Sequence, residues 1–397
     1  MSDTLTKKKS SRVASVEFWR FLFTILVCSY HLEIYFTSGK LFPSGTSAVE
    51  FFFVLSGFLL ALSAGHHFEK NPEPLSPKEA AAKATQFIWK KVKAIFPVLV
   101  ITLILHIAIN GGGYARKGWL DAALNSEWDL LFMVGTPFGY QNGIAPIVPL
   151  WFLTALFIAG YVYCYMLYRN FHFTLFLAPV IGVVLYSYFT LNSTLTLDFY
   201  AKMGLLTAGT VKAFAEMAFG MSMYKLYDYL SKKKLNPLWS VFFTVLMLFS
   251  IFRYFQLTIN QQAGLDNFRR TIYIMLIILL SFLNMDEITR VLNNGFSRAL
   301  GSISMTIYIC HYTLCNLYFA IAGKLQAAFP GIAFFRGLGG SSSFGGFGGG
   351  AITWKVRICY LVFVIVVALL ITLVVNLLRK LWTPKAKKAP APAEVKA

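Results

Sequence analysis

Ten apolar segments, most of them long enough to cross a lipid bilayer, constrain this chain more than any other feature of its sequence. A membrane-spanning helix needs about 20 predominantly apolar residues. The chain is 57% hydrophobic and only 13% charged, whereas about a quarter of the residues in a soluble domain are charged. We therefore predict an all-α fold, a polytopic membrane helix bundle with about ten transmembrane helices. The predicted spans are 16–36, 47–65, 94–110, 149–168, 172–191, 204–228, 237–257, 271–284, 303–323 and 355–378.

Basic residues are distributed unequally between the two sets of loops of such a bundle. Ten is an even number, so both termini lie on one side, and the loops richer in Lys and Arg face the cytoplasm. The richer set holds Lys7, Lys8, Lys9, Arg12, Lys83, Lys90, Lys91, Lys93, Arg169, Lys232, Lys233, Lys234, Arg290, Arg298, Arg379, Lys380, Lys385, Lys387 and Lys388. The other set holds mainly Lys40, Arg116, Lys117, Arg269, Arg270, Lys324 and Arg336. The sequence therefore predicts a multi-pass protein of the cytoplasmic membrane with both termini in the cytoplasm.

The chain reads as one membrane domain with two basic ends. We predict a basic cytoplasmic N-terminus over 1–15, a transmembrane domain over 16–381 and a basic cytoplasmic tail over 382–397. Residues 337–350 are rich in Gly and Ser, which predicts a flexible extracytoplasmic loop. Residues 111–148 are too broken by Gly and Pro for a continuous span, which predicts an interfacial or re-entrant cover. The net charge of +19 is accounted for by these loops and tails, so the lipid bilayer, and no nucleic acid, is the predicted partner.

The first span carries two ionisable residues, Arg20 and His31, which are costly in lipid and usually functional there. Eleven residues correspond to about three helical turns, so the two share one helix face and lie about 16 Å apart along the axis. With a cytoplasmic N-terminus, Arg20 lies in the cytoplasmic half and His31 in the outer half. The pair indicates a polar path through the bundle. The alternative is two separate buried polar contacts that fix helix packing.

The order of five motifs resembles that of a known family. "RFLFTILVCSYH" (20–31) resembles the R-x10-H signature of the acyltransferase-3 family, integral membrane acyltransferases of the O-acetyltransferase type. "AVEFFFVLSGFLLA" (48–61) is similar to its FFxLSGF segment, and "FIWKKVKAIFP" (87–97) to its basic motif, with lysines replacing the arginines. "PLWFLTALF" (149–157) and "SMTIYICHYTL" (304–314) are similar to later landmarks. The resemblance covers nearly the whole chain and depends on order and spacing, because each motif alone is common.

The resemblance implies a membrane-bound enzyme that moves an acyl group, usually acetyl, from cytoplasmic acyl-CoA to a hydroxyl of a cell-envelope carbohydrate or related acceptor. Acetyl-CoA is then a donor substrate, an envelope glycan or lipid-linked sugar the acceptor, and no bound cofactor or metal is expected. Lys90, Lys93 and Arg20 are expected to bind the donor phosphates. His31 is expected to act in catalysis as a general base or acyl relay, beside Arg20. Succinyl or another acyl group remains possible.

A carboxylate partner for His31 is predicted on the second span. His31 and Glu50 are expected about 7 Å and 9 Å outward of the bilayer midplane, and spans joined by a short loop are usually neighbours. We therefore predict a catalytic dyad in which Glu50 orients the imidazole and stabilises the imidazolium. The alternative is that Glu50 only complements the positive N-terminal end of its own helix.

Five further residues are candidates for the substrate-binding site: Trp151, Tyr308, His311, Glu216 and Ser56. Trp151 can stack on a sugar, although an interfacial anchor is the commoner role of such a Trp. Tyr308 and His311 lie one helical turn apart and either line a pocket or form a structural pair.

Glu216 and Ser56 also have structural alternatives. Glu216 is four residues from Lys212, so the two can pair along one helix, either lining a path or stabilising the bundle. Ser56 could relay an acyl group, but a Ser-Gly pair more often allows close helix packing, which is the role expected of Gly57.

A second class of function is compatible with the same intramembrane charges. In a proton-coupled secondary transporter or flippase, His and Glu would act as proton relays. That class predicts paired broken helices in two halves of the chain, which the sequence does not show. Transfer or hydrolysis of acetyl-CoA by membranes that contain the protein separates the two classes, because a transporter shows neither.

Overall fold

The computed structural model of the chain describes residues 13–110, 147–192, 202–203, 206–233, 236–260, 265–335, 337–338 and 348–382. Its helices are α1 (Ala14–Glu33), α2 (Ala48–Phe68), α3 (Pro77–Asn110), α4 (Trp151–Arg169), α5 (Phe171–Asn192), α6 (Ala208–Ser231), α7 (Pro237–Ile259), α8 (Leu265–Leu283), α9 (Glu287–Leu292), α10 (Gly295–Ala328) and α11 (Trp354–Trp382). Two short 3₁₀ turns, Gly45–Ser47 and Val148–Leu150, precede α2 and α4. The strands are β1 (Phe36–Ser38), β2 (Lys202–Met203), β3 (Leu206–Thr207) and β4 (Gly348–Ala351).

Each predicted span coincides with one long helix of the structure, and α9 is a short additional helix. The prediction of an all-α membrane helix bundle is confirmed. Among the described residues, seven helices are long and apolar enough to cross a membrane, namely α2, α3, α4, α5, α7, α10 and α11. Helices α1, α6 and α8 each carry at least three charged residues, which lowers their mean hydropathy. A total of about ten crossing helices therefore stays a prediction.

Several predicted segments lie largely outside the described residues. They are the basic N-terminus over 1–15, the cover over 111–148 and the basic tail over 382–397. Of the Gly-rich loop over 337–350, the structure describes the first two residues and strand β4. Strand β4 pairs in parallel with β1, which follows α1 directly, and β2 pairs antiparallel with β3. The Gly-rich loop is thereby joined to the chain that leaves the end of α1.

The centre of the bundle is the contact between α2 and α6. A Cβ atom added to Gly57 would lie 2.0 Å from the carbonyl oxygen of Met217, and one added to Gly220 would lie 2.0 Å from the carbonyl oxygen of Val54. Each glycine therefore allows the backbone of the other helix to pack directly against it, as small residues do in membrane helix pairs. The expected packing role of Gly57 is confirmed.

The helices at the periphery present apolar side chains outward. Val241, Phe242 and Val245 of α7 are exposed, as are Leu369 and Leu370 of α11. An apolar outward surface of this extent is what a lipid environment requires. Inside the bundle α1 packs along α10, and this contact brings residues far apart in sequence to one site.

Candidate active site

A cavity of about 300 Å³ lies where the end of α1 meets α2, the start of α4 and α10. Three of the predicted site residues, His31, Trp151 and Tyr308, line it together. Aliphatic side chains and Pro149 complete the wall, and the aromatic and polar part of the lining is Tyr30, His31, Thr46, Trp151, Tyr308 and Tyr312. A mostly apolar cavity with a few convergent polar groups is the usual form of a small-molecule site.

The ring of His31 contacts a second histidine rather than a carboxylate. His31 Nδ1 lies 2.9 Å from the carbonyl oxygen of Val27 and 3.2 Å from His311 Nε2. His311 Nδ1 lies 2.7 Å from the carbonyl oxygen of Tyr308 and 3.2 Å from that of Ile307. The two rings are thus fixed by one interhelical contact and by the backbones of their own helices.

These contacts assign the protons of both neutral rings. A carbonyl oxygen can only accept, so Nδ1 carries the hydrogen in His31 and in His311. His311 Nε2 then holds a lone pair that accepts from His31 Nδ1–H. His31 Nε2 likewise holds a lone pair, and it makes no hydrogen bond within the described part of the chain. A basic nitrogen therefore remains available on a ring that lines the cavity.

Aromatic side chains confine the His31 ring from two sides. Tyr30 and Tyr312 meet it edge to face, with ring centroids 5.3 Å and 5.8 Å away. Tyr308 donates a hydrogen bond of 2.9 Å to the carbonyl oxygen of Pro149, which ties α10 to the turn before α4. Trp151 begins α4 next to this turn. The predicted pair of Tyr308 and His311 is present, with ring centroids 5.8 Å apart.

The predicted contact between Glu50 and His31 is wrong. Glu50 is buried and bonds Lys212 Nζ, and it accepts a 3.0 Å hydrogen bond from the hydroxyl of Thr271. Its neighbour Val49 faces the cavity instead. Successive residues of a helix point about 100° apart. The Glu50 carboxylate therefore points towards Lys212 of α6 and Thr271 of α8 instead of into the cavity beside His31.

Glu216 belongs to the same buried group and not to the cavity. Its carboxylate lies 3.6 Å from Lys212 Nζ, so the predicted pair along α6 is confirmed. Both Glu216 oxygens are buried without a hydrogen-bond partner in the described part of the chain. One ammonium group thus stands between two buried carboxylates, Glu50 and Glu216. We refer to Glu50, Lys212, Glu216 and Thr271 as the α2–α6–α8 polar cluster.

Arg20 lies at the opposite end of α1 from the cavity. Its guanidinium bonds both oxygens of Glu17 at 2.9 Å, and about a fifth of its side chain is exposed. The predicted donor-binding lysines, Lys90 and Lys93, are exposed on α3, and Lys93 lies 5.2 Å from the ring of Trp89. The structure therefore does not bring Lys90 and Lys93 into a buried site with Arg20.

Lys91, which the sequence reasoning passed over, lies on the inner face of α3. Its ammonium is close enough to Arg20 for the two charges to interact, and it packs 5.0 Å from the ring of Phe87. It has no carboxylate partner among the described residues. The periodicity of α3 could have identified it, since Ala84 and Val98, seven residues before and after, are both buried.

Ser56 is not among the residues that line the cavity. It is half-buried on α2, beside the Gly57 contact with α6. A buried ion pair at the cavity end of α1 was also missed. Glu33 binds Arg357 Nε at 3.0 Å and accepts backbone N–H groups of Leu41 and Phe42 at 3.0 Å and 2.9 Å. This pair fixes the chain that follows His31 to the start of α11.

Comparison with protein families agrees with the resemblance of the motifs. The model of the acyltransferase-3 family, described as an acyltransferase domain, matches residues 13–382. Comparison with curated proteins and with solved structures gave no significant match. The matched region includes every helix described above and all the residues of the cavity. With its membrane helix bundle and this match, the chain belongs to the acyltransferase-3 family and is a membrane acyltransferase.

Proposed function

We propose that the protein transfers an acyl group, acetyl in the first instance, from cytoplasmic acyl-CoA to a hydroxyl of a cell-envelope carbohydrate or lipid-linked sugar. The observation that carries the proposal is the cavity at His31, with a basic nitrogen on its wall. Membership of the acyltransferase-3 family supports the reaction class. The charge bias of the loops supports a plasma-membrane protein with both termini in the cytoplasm.

The acceptor hydroxyl binds in the cavity and loses its proton to His31 Nε2. The oxygen attacks the thioester carbonyl, the C–S bond breaks, and the thiolate of CoA takes the proton back from His31. Atoms and charge balance, since thioester and alcohol give ester and thiol. General base catalysis of this kind contributes about 10²- to 10⁴-fold. The apolar walls exclude the water that would otherwise hydrolyse the thioester.

The aromatic lining suits a sugar acceptor. Trp151, Tyr30 and Tyr312 offer flat apolar faces and edges on the cavity wall, and Thr46 adds a hydroxyl that can bond a sugar hydroxyl. About 300 Å³ is at the lower end of the range for ligand sites, which favours one or two sugar units over a long chain inside the cavity.

The donor phosphates bind at the Arg20 end. Arg20 and Lys91 bring two positive charges and Glu17 one negative charge, which leaves this end of α1 net positive. Lys91 is partly buried and has no carboxylate partner among the described residues, so this end of α1 favours an anionic ligand. Lys90 and Lys93, exposed nearby, add to the attraction of a polyanion such as CoA. Arg20 and His31 lie about 16 Å apart along α1, and the flexible arm of CoA has to span this distance.

The proposal is tested by mass spectrometry of envelope glycans from cells with and without the protein. We expect an added acyl mass with the wild type and none with His31→Ala at equal protein level in the membrane. His172→Ala is a matched control, because His172 is exposed on α5 away from the cavity. Labelled acetyl-CoA given to purified protein in lipid nanodiscs then identifies the donor. Transport of an unmodified sugar without any acyl transfer would favour the transporter class instead.

A further inference from the structure

A second histidine, His311, lies behind the His31 ring and is placed to control it, although it does not itself line the cavity. Its Nε2 is the one side-chain atom that reaches the His31 ring at hydrogen-bond distance among the described residues, at 3.2 Å from Nδ1. The other contact of His31 Nδ1 is the carbonyl oxygen of Val27, four residues earlier on the same helix. A contact within one turn moves with α1, whereas the contact with His311 ties the ring to α10.

We propose that His311 is a positioning residue, which holds His31 in the tautomer and orientation that direct its Nε2 lone pair into the cavity. This inference rests on the proposed function, since it gives His311 a role in the same reaction. His311 replaces Glu50, the orienting group expected from the sequence. It does not touch the reacting atoms.

The geometry allows His311 to act only as an acceptor towards His31. Its Nδ1–H is committed to the carbonyl oxygens of Tyr308 and Ile307, and its side chain is fully buried. Its Nε2 therefore holds a lone pair. If His31 carried its hydrogen on Nε2 instead, two lone pairs would face each other across 3.2 Å, and the bond to Val27 would be lost as well. The Val27 carbonyl oxygen and His311 Nε2 thus both favour the tautomer of His31 with its hydrogen on Nδ1.

The same contact becomes stronger during the reaction. When His31 Nε2 takes the proton of the acceptor, the ring becomes an imidazolium, and its Nδ1–H turns into a charged donor. Hydrogen bonds from charged donors are about twice as strong as neutral ones. A neutral imidazole lone pair therefore stabilises the protonated intermediate without placing a second full charge in the bundle. A carboxylate would do this too, but would have to remain ionised among apolar side chains.

The test compares two substitutions of His311 with a matched control. His311→Gln offers an amide oxygen at similar reach and keeps an acceptor, whereas His311→Leu removes it at similar volume. His106→Leu is the control, because His106 is also a buried histidine bound to α10, through Thr313 at 2.9 Å, and does not line the cavity. The kcat and KM for acetyl transfer are measured for each in nanodiscs.

We expect His311→Leu to lower kcat roughly tenfold and to leave the KM for the acceptor within about twofold of the wild type. The reason is that the variant loses one hydrogen bond that strengthens in the transition state. His311→Gln should recover most of that loss, and His106→Leu should keep the wild-type kcat. Equal kcat in wild type and His311→Leu would overturn the proposal. So would equal losses in His311→Gln and His311→Leu, since a purely steric role does not depend on an acceptor.

A second readout does not need activity. In protein labelled with ¹⁵N-histidine, the His31 signals, assigned by their absence in His31→Ala, should report the tautomer with hydrogen on Nδ1. His311→Leu should shift them towards a mixture of tautomers. A wild-type His31 with hydrogen on Nε2 refutes the positioning role whether or not any acyl transfer is found. Absence of transfer together with the expected tautomer refutes the proposed function alone.

Discussion

Substituting Gly57 by Ala should separate the two helices at the centre of the bundle. The new Cβ would lie 2.0 Å from the carbonyl oxygen of Met217 and 2.7 Å from its Cα, whereas ordinary contacts begin at 3.4 Å. Both neighbours are backbone atoms of α6, so no side chain can rotate away. The helices would have to move apart by about 1.4 Å here, against the reciprocal contact of Gly220 with Val54. Overpacking of this kind costs about 1–3 kcal/mol, and backbone neighbours place it at the upper end.

The assay is thermal unfolding in detergent or nanodiscs, followed by intrinsic fluorescence. About 3 kcal/mol should lower the unfolding temperature by several degrees. Gly323→Ala is the control, because Gly323 also lies in a helix and an added Cβ there meets nothing within 4 Å. Alanine is the better helix former, so the control should be unchanged or up to about 1 kcal/mol more stable. Equal unfolding temperatures for Gly57→Ala and the wild type would refute the assigned backbone contact.

Three further results are expected. Lys212→Met should destabilise the protein by about 3–5 kcal/mol, because it leaves two buried carboxylates without their ammonium group; an unfolding temperature equal to the wild type would contradict this. Lys91→Gln should raise the KM for acetyl-CoA more than Lys90→Gln does, since charge-assisted phosphate contacts are worth about 1.5–3 kcal/mol, and equal effects would exclude Lys91 as the inner donor contact. Cysteine probes in 338–349 should be labelled from outside the cell and probes in 386–396 should not, and the reverse pattern would invert the predicted sidedness.

The helices of the bundle could be predicted from the sequence because their signal is local. An apolar run of about 20 residues has few alternatives to a membrane helix, whatever its neighbours are. The sequence also predicts the helices α1, α6 and α8, which carry more charged residues. Because of these charges, it stays a prediction that the three helices cross the membrane. The ends were less accurate, since α3 begins at Pro77, well before the predicted span at 94–110.

The candidate site could be predicted only in part. His31, Trp151 and Tyr308 were selected from separate motifs, and the structure gathers them around one cavity. For Glu50, the sequence predicts a depth in the membrane but not the direction of the side chain. Depth follows from position along a helix, but the direction of a side chain around the axis depends on which neighbours the helix packs against.

The amino-acid sequence is enough to identify the helices of this protein, the ionisable residues within them and the order of motifs that is typical of the family. These follow from short-range periodicity and from the cost of polar groups in lipid. Which ionisable groups contact one another depends instead on how the helices pack. His31 finds His311, 280 positions away, because α1 packs along α10, and Glu50 finds Lys212 because two glycines bring α2 and α6 into backbone contact. Such pairings depend on how helices rotate and approach one another, and no local pattern in the chain encodes that arrangement.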